Sequence, residues 1–123
     1  MPRKKKVDEL DPESRELAKL ERIFENIPEE RRDVGQTLME SAAFMASELK
    51  KLQDFIRING WTETYSNGAT QSGKKPSSEA QAFQTLIKNY NTTLKTLVGM
   101  LPEDKQKGAK EEVDLMADFL RRK

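Results

Sequence analysis

The sequence of 123 residues has the length of one small domain, and apolar and charged residues each make up 35% of it. It contains no cysteine and no histidine, which excludes disulfides, thiolate chemistry, the commonest metal ligand and the usual near-neutral general base. Its formal net charge of +1 excludes a surface that is basic throughout, so nucleic acid would have to bind at local patches.

Absent motifs narrow the function further. The chain has no Gly-x-x-x-x-Gly-Lys-Ser/Thr loop for nucleotide phosphates. We therefore expect no enzyme, no cofactor and no metal site. No apolar run approaches the ~20 residues of a membrane span, and residues 1–6 lack the apolar stretch of a secretory signal. The expectation is an intracellular protein with no membrane partner.

The first half of the chain predicts two helices. An Asp-Pro-Glu start signal predicts a short helix over residues 12–26. A Pro-Glu-Glu signal opens the longest helix, about residues 29–58, and Asn59-Gly60 ends it. The expected core stripe of this long helix consists of Val34, Leu38, Ala42, Met45, Leu49, Leu52 and Ile56.

The connection over residues 61–76 is the only long segment without a helical pattern. Asn67-Gly68 is typical of a tight turn, and Thr62 and Tyr65 favour strands, so the segment is compatible with a small β-hairpin.

The second half predicts a third helix over residues 77–100 and a last helical segment that begins at Pro102. The heptad stripe of the third helix consists of Ala80, Phe83, Ile87, Tyr90, Leu94, Leu97 and Leu101. The apolar face of the last segment consists of Val113, Met116, Phe119 and Leu120. We expect the two long helices to pack as an antiparallel hairpin.

Some apolar residues lie outside these stripes. They are Phe44, Phe55, Leu86 and Met100. Exposed aromatic patches normally mark an interface, so these residues predict a homo-oligomer. The alternative is that the first and last helices cover them within one chain.

Three segments carry a family resemblance. They are Leu52-Gln53-Asp54-Phe55-Ile56-Arg57-Ile58-Asn59-Gly60-Trp61, Tyr65-Ser66-Asn67-Gly68 and Gly73-Lys74-Lys75-Pro76-Ser77. They correspond to a helix that ends in Gly and an aromatic residue, a Tyr-x-Asn-Gly-like turn and a Lys-rich helix start. Tyr90, Leu94 and the boundary Leu101-Pro102 also fit. Over about residues 30–105 the chain resembles the small subunits of the terminases that package DNA in tailed phages and prophages.

The resemblance implies an all-α, ring-like homo-oligomer that works in the host cytoplasm. Such a protein binds double-stranded viral DNA and delivers it to the terminase large subunit, which carries the ATPase and the nuclease. The chain departs from many relatives because it lacks a convincing N-terminal helix-turn-helix. We divide it into a basic tail (1–10), a helical oligomerisation and DNA-recognition domain (11–101) and a C-terminal helical segment (102–123) that docks a partner.

The candidate DNA-contacting residues are all basic: Arg3, Lys4, Lys5, Lys6, Lys74, Lys75, Lys88 and Lys95. The first four are equally compatible with a solubilising terminus, and Lys74 and Lys75 with an ordinary solvated turn. Lys88 and Lys95 are the only charged residues within 80–101, on a face otherwise made of hydroxyl and amide side chains. That face is predicted to line a ring interior or a polar contact between subunits.

Two other functions fit the same patterns. One is a helical protein–protein adaptor or chaperone that never touches DNA. The other is a small DNA-binding transcription regulator with no role in packaging.

Overall fold

A computed structural model describes residues 11–66, 68 and 72–121, except for the side chains of Phe119 and Arg121. The predicted basic tail and residues 122–123 lie outside these ranges. The elements in chain order are α1 (Pro12–Ile23), a 3-10 turn (Glu29–Arg31), α2 (Arg32–Asn59), β1 (Thr62–Ser66), β2 (Ser72–Pro76), α3 (Ser78–Met100) and α4 (Glu103–Arg121). The predicted helical character and the small β-hairpin are confirmed. Within these ranges no helix combines the length and the apolar character of a bilayer-spanning segment.

Helix boundaries follow local capping signals. The Asp11 carboxylate accepts a 2.8 Å hydrogen bond from the Ser14 backbone N–H at the start of α1. The Ser77 hydroxyl accepts one of 3.0 Å from the Ala80 N–H at the start of α3. Each bond satisfies a backbone donor that has no partner inside its helix. Gly60 ends α2 with φ of 84°, a left-handed conformation that glycine adopts without strain.

Two boundaries differ from those predicted. α1 stops at Ile23 rather than near residue 26, and a 3-10 turn precedes α2. The residues between the helices explain the difference, because Phe24 and Ile27 are both buried, at 1% and 2% exposure. The chain leaves the helical path there to place both side chains in the core.

The two long helices form the predicted antiparallel pair. Ser77, just before α3, donates its backbone N–H to the carbonyl oxygen of Trp61, just after α2, at 2.9 Å. At the opposite end, a Cβ placed on Gly35 would lie 3.1 Å from Ile27 and 3.6 Å from the terminal methyl of Met100. The end of each long helix therefore lies beside the start of the other. Gly35 also allows the segment after α1 to approach α2 closely.

The buried face of α2 is rotated relative to the predicted stripe. Val34, predicted to be a core residue, is 61% exposed. The residues that are buried are Gly35, Met39, Ala42, Ala43, Ala46, Leu49, Gln53 and Ile56. The reason is that α2 packs against α1 as well as α3, and contacts α4 near its end. On α3 the predicted stripe is confirmed, with Ile87 half-buried and the other members buried.

The β-hairpin connects α2 to α3. Its antiparallel register pairs Glu63 with Lys75, Thr64 with Lys74 and Tyr65 with Gly73. The strands end and restart at residues 66 and 72, so the connection is longer than a two-residue turn.

Candidate nucleic-acid interface

The polar face of α3 is open to solvent over its whole length. Its members, all exposed, are Gln81, Gln84, Thr85, Lys88, Thr92, Lys95 and Thr96. Lys88 and Lys95 are seven positions apart, which places their Cα atoms about 10 Å apart along one side of the helix. No acidic residue occurs in residues 80–101. A phosphate backbone could therefore lie along this face beyond the first turn of α3 without meeting a carboxylate of the same helix.

Two hydroxyl groups on this face already donate hydrogen bonds within the helix. Thr92 donates to the carbonyl oxygen of Lys88, and Thr96 donates to that of Thr92, both at 3.0 Å. Their protons are therefore not directed toward a ligand, although their oxygens can still accept. The cationic groups on the face remain Lys88 and Lys95.

Lys95 shares a cleft with carboxylates that belong to a different helix. It lines a cleft of about 390 Å³ between α3 and α4, together with Asp114 and Asp118. These charges offset the attraction that Lys95 would exert on a phosphate. Neither lysine forms an ion pair with a described residue, but only Lys95 shares a cleft with acidic side chains, so Lys88 is the stronger candidate of the two.

The two lysines of the β-hairpin also differ in whether an acidic side chain lies nearby. The Lys75 ammonium lies 3.6 Å from the Glu63 carboxylate, its cross-strand partner, and 6.0 Å from the centroid of the Tyr65 ring. Lys74 lies on the other face of the strand, because side chains alternate along a strand, and it has no ion pair with a described residue. Glu79 occupies the first turn of α3, and its carboxylate makes this helix start less attractive to an anion.

Trp61 packs at the hairpin end of the molecule. Its ring meets the Phe83 ring edge to face, with centroids 5.8 Å apart and planes at 84°. Trp61 therefore has a packing role at this end of the molecule.

The predicted interface residues fall into two groups. Phe44 and Phe55 are 53% and 40% exposed, so neither α1 nor α4 covers them. Leu86 and Met100 are half-buried and pack against the core of the same chain. Phe44 also lines an open groove of about 590 Å³ between α2 and α3, with Leu38 and Met45. The uncovered apolar surface is thus concentrated on α2.

Sequence reasoning placed the lysines but missed the carboxylates beside them. Glu63 faces Lys75 through the strand register, which follows once both strand ends are known. Asp114 and Asp118 line the same cleft as Lys95 because of how α4 packs on α3, which no local sequence pattern contains. Arg3, Lys4, Lys5 and Lys6 lie outside the described residues.

Among the residues that are described, no group of three or more acidic side chains is arranged to hold a metal ion.

Comparisons with known proteins add no relative. No protein-family model, curated protein or solved structure matches the chain.

Proposed function

We propose that this chain self-associates into a ring-like homo-oligomer that binds double-stranded DNA, as a terminase small subunit does when it delivers viral DNA to the large subunit. The observation that carries the proposal is the exposed polar face of α3, which presents Lys88 with no acidic residue between positions 80 and 101. Lys74, on the hairpin that leads into α3, adds a second exposed cation.

The proposal includes assembly because the cationic side chains of one copy would bind DNA only weakly. One copy offers four described candidate lysines, of which one forms an ion pair and another shares a cleft with two carboxylates, and the whole chain has a net charge of +1. Weak sites on a single particle act together, because each contact made raises the effective concentration for the next. The exposed Phe44 and Phe55 supply the apolar surface for such assembly.

The test is duplex-DNA binding by fluorescence anisotropy at several salt concentrations. The variant carries Lys74→Gln and Lys88→Gln. The matched control carries Lys107→Gln and Lys110→Gln, two exposed lysines of α4, so both proteins lose the same charge. We expect the variant to bind more weakly and the slope of log affinity against log salt to fall by about one for each phosphate that is no longer neutralised. Equal weakening in the control would contradict a specific face.

A second function, a protein–protein adaptor, is favoured by one observation. Large apolar side chains are exposed at several sites, and Ile58 and Leu115 reach 83% and 68% exposure. An adaptor uses such side chains on a partner and has no affinity for DNA. Absence of duplex binding by the unmodified protein even at low salt would favour this function over the first.

A further inference from the structure

The β-hairpin has little packing against the helices. Every residue of β1 is exposed, and so is every residue of β2 except Gly73. A two-stranded hairpin is only marginally stable in water unless a third strand or a helix covers it. Among the described residues, no third strand pairs with either strand of the hairpin. The hairpin therefore presents two strand edges to which a further strand could be added.

The strand register determines which backbone groups point away from the hairpin. In an antiparallel pair, hydrogen-bonded pairs of residues alternate with pairs whose N–H and C=O groups point outward. The bond from the Ser77 N–H to the Trp61 carbonyl oxygen, one position beyond the strands, marks that pair as a hydrogen-bonded one. The outward-facing pairs are therefore Thr62–Pro76, Thr64–Lys74 and Ser66–Ser72.

The outer edge of β2 is poorly suited to another strand. Pro76 has no N–H, and its carbonyl oxygen accepts a 3.1 Å hydrogen bond from the side-chain amide of Gln81. Lys74 and Lys75 place two charged side chains on the same strand. Lysine and proline on an edge strand are common features that prevent pairing with another chain.

The outer edge of β1 has none of these features. Its sequence, Thr-Glu-Thr-Tyr-Ser, contains no Pro, Lys or Gly, and Thr and Tyr favour strands. No hydrogen bond joins the outward N–H and C=O groups of Thr62 or Thr64 to another described residue. β1 is therefore the edge that accepts a further strand.

We propose that two copies of this chain pair through the outer edge of β1, antiparallel about Thr64, and form a four-stranded sheet in the order β2–β1–β1–β2. In this register Thr64 lies opposite Thr64 of the second copy, and Thr62 lies opposite Ser66 of the second copy. Each outward-facing residue of β1 thus meets an outward-facing residue. Threonine and serine side chains directly opposite each other are favourable cross-strand pairs.

Charge selects this register over its neighbours. Glu63 lies opposite Tyr65 of the second copy, so no like charges face each other. A register centred on Glu63 would place two carboxylates opposite each other and leave Ser66 unpaired, and one centred on Tyr65 would leave Thr62 unpaired. The Lys74 side chains lie three strand spacings apart, about 14 Å, so their repulsion is weak.

The pairing goes beyond the proposed function, because it uses neither DNA nor the exposed Phe44 and Phe55 of α2. A contact that uses the same surface on both copies closes at two copies. It therefore adds a pairwise contact to a ring formed through α2 and does not replace that ring.

The test is disulfide cross-linking of the full chain carrying Thr64→Cys, because the protein has no cysteine of its own. Opposite residues in a hydrogen-bonded antiparallel pair have Cα atoms about 5.5 Å apart. That separation lies within the range of disulfides, about 4.4–6.8 Å. We expect mild oxidation to convert most of this variant to a covalent dimer. The matched control is Lys74→Cys, an exposed position directly across the hairpin on the edge of β2. It should form about tenfold less dimer, since its Cα atoms are too far apart in the proposed sheet.

A second measurement needs no thiol. In the unmodified protein, hydrogen exchange at the outward-facing N–H of Thr64 should slow as protein concentration rises, whereas the N–H of Glu63, inside the hairpin, should not depend on concentration. Thr64→Pro removes that outward N–H without removing a bond of the hairpin, so it should abolish the effect, and Thr64→Val should retain it.

The proposal is overturned if both cysteine variants cross-link equally or if neither does. It is also overturned if protection of the Thr64 N–H does not change with concentration, because that result would mean that no second copy covers β1. Phe44→Ser should leave the cross-linking of Thr64→Cys unchanged. Loss of cross-linking in that double variant would contradict a contact that is independent of α2.

Discussion

The side-chain amide of Gln53 donates a 2.7 Å hydrogen bond to the main-chain oxygen of Leu120, 67 positions later in the chain. Gln53 is polar yet only 8% exposed. A carbonyl in the last turn of a helix has no partner within that helix, so Gln53 supplies one for the end of α4. This bond gives the contact between α2 and α4 a fixed position, which apolar packing alone does not provide.

Gln53→Leu should destabilise the fold by about 1–2 kcal/mol, because the carbonyl of Leu120 loses its partner in a buried setting. Gln84→Leu, on the exposed face of α3, should change stability by less than about 0.5 kcal/mol. Urea denaturation measures both effects, and hydrogen exchange should show the amides of α4 losing protection first. Equal stability of the two variants would mean that the hydrogen bond from Gln53 does not hold α4 in place.

Gln53 and Val34 show why the core of α2 was only partly predictable. The hydrophobic stripe of a helix points to one partner, but α2 has α1 on one side, α3 on another and α4 near its end. Small residues such as Ala43 and Ala46 are buried because neighbouring helices approach there, and nothing in their own hydrophobicity singles them out. Helix ends were predicted better, because caps such as Asp11 and Gly60 act over a few residues.

Two glycines should respond to alanine with opposite signs. Gly60 has φ of 84° and no neighbouring atom within 4 Å of the position that a methyl group would take, so Gly60→Ala introduces backbone strain alone, about 1–2 kcal/mol of destabilisation. Gly99 lies inside α3 in helical conformation with open space around it, so Gly99→Ala should stabilise by about 0.5–1 kcal/mol. Thermal unfolding of both variants checks the signs. Stabilisation by Gly60→Ala would contradict the left-handed end of α2.

The raised pKa of Tyr90 predicts that the folded protein loses stability at alkaline pH. Its pKa is raised in the folded state by burial above the ordinary value of 10.0, so above that pH the unfolded chain releases a proton that the folded chain keeps. The stabilising contribution is complete below pH 10 and falls by about 1.4 kcal/mol per pH unit above it, until the folded-state pKa is reached. Tyr90→Phe should lack this component, whereas Tyr65→Phe should retain it. The measurement is the denaturation midpoint of the three proteins as a function of pH, from neutral to alkaline. If Tyr90 were exposed, the three plots of midpoint against pH would be parallel.

Phe44→Ser should reduce self-association without lowering the stability of one chain, because Phe44 is 53% exposed and contributes little to the core. Val34→Ser is the control, since Val34 is an exposed apolar residue of the same helix but is not among the predicted interface residues. Sedimentation velocity over a range of concentrations measures the change. Association that Phe44→Ser leaves unchanged would contradict an interface at Phe44, and equal loss in both variants would show that the effect is not specific to Phe44.

The lysines of the candidate site could be predicted from the sequence, but the charges that surround them could not. Lys74, Lys75, Lys88 and Lys95 are evident from the sequence, and all four are exposed. Their different surroundings depend on the strand pairing and on where α4 packs, which are tertiary contacts. The Tyr90 hydroxyl, which is buried and has no hydrogen-bond partner among the described residues, was not predictable for the same reason, since a Tyr in a heptad stripe looks like any core residue.

Native mass spectrometry of the purified chain, alone and mixed with duplex DNA, tests the central claim most directly. We expect a homo-oligomer of defined subunit number that gains the mass of the duplex and loses it as salt is raised. The same oligomer should dissociate in Phe44→Ser. A chain that stays monomeric at all concentrations and gains no mass with DNA would contradict both assembly and DNA binding.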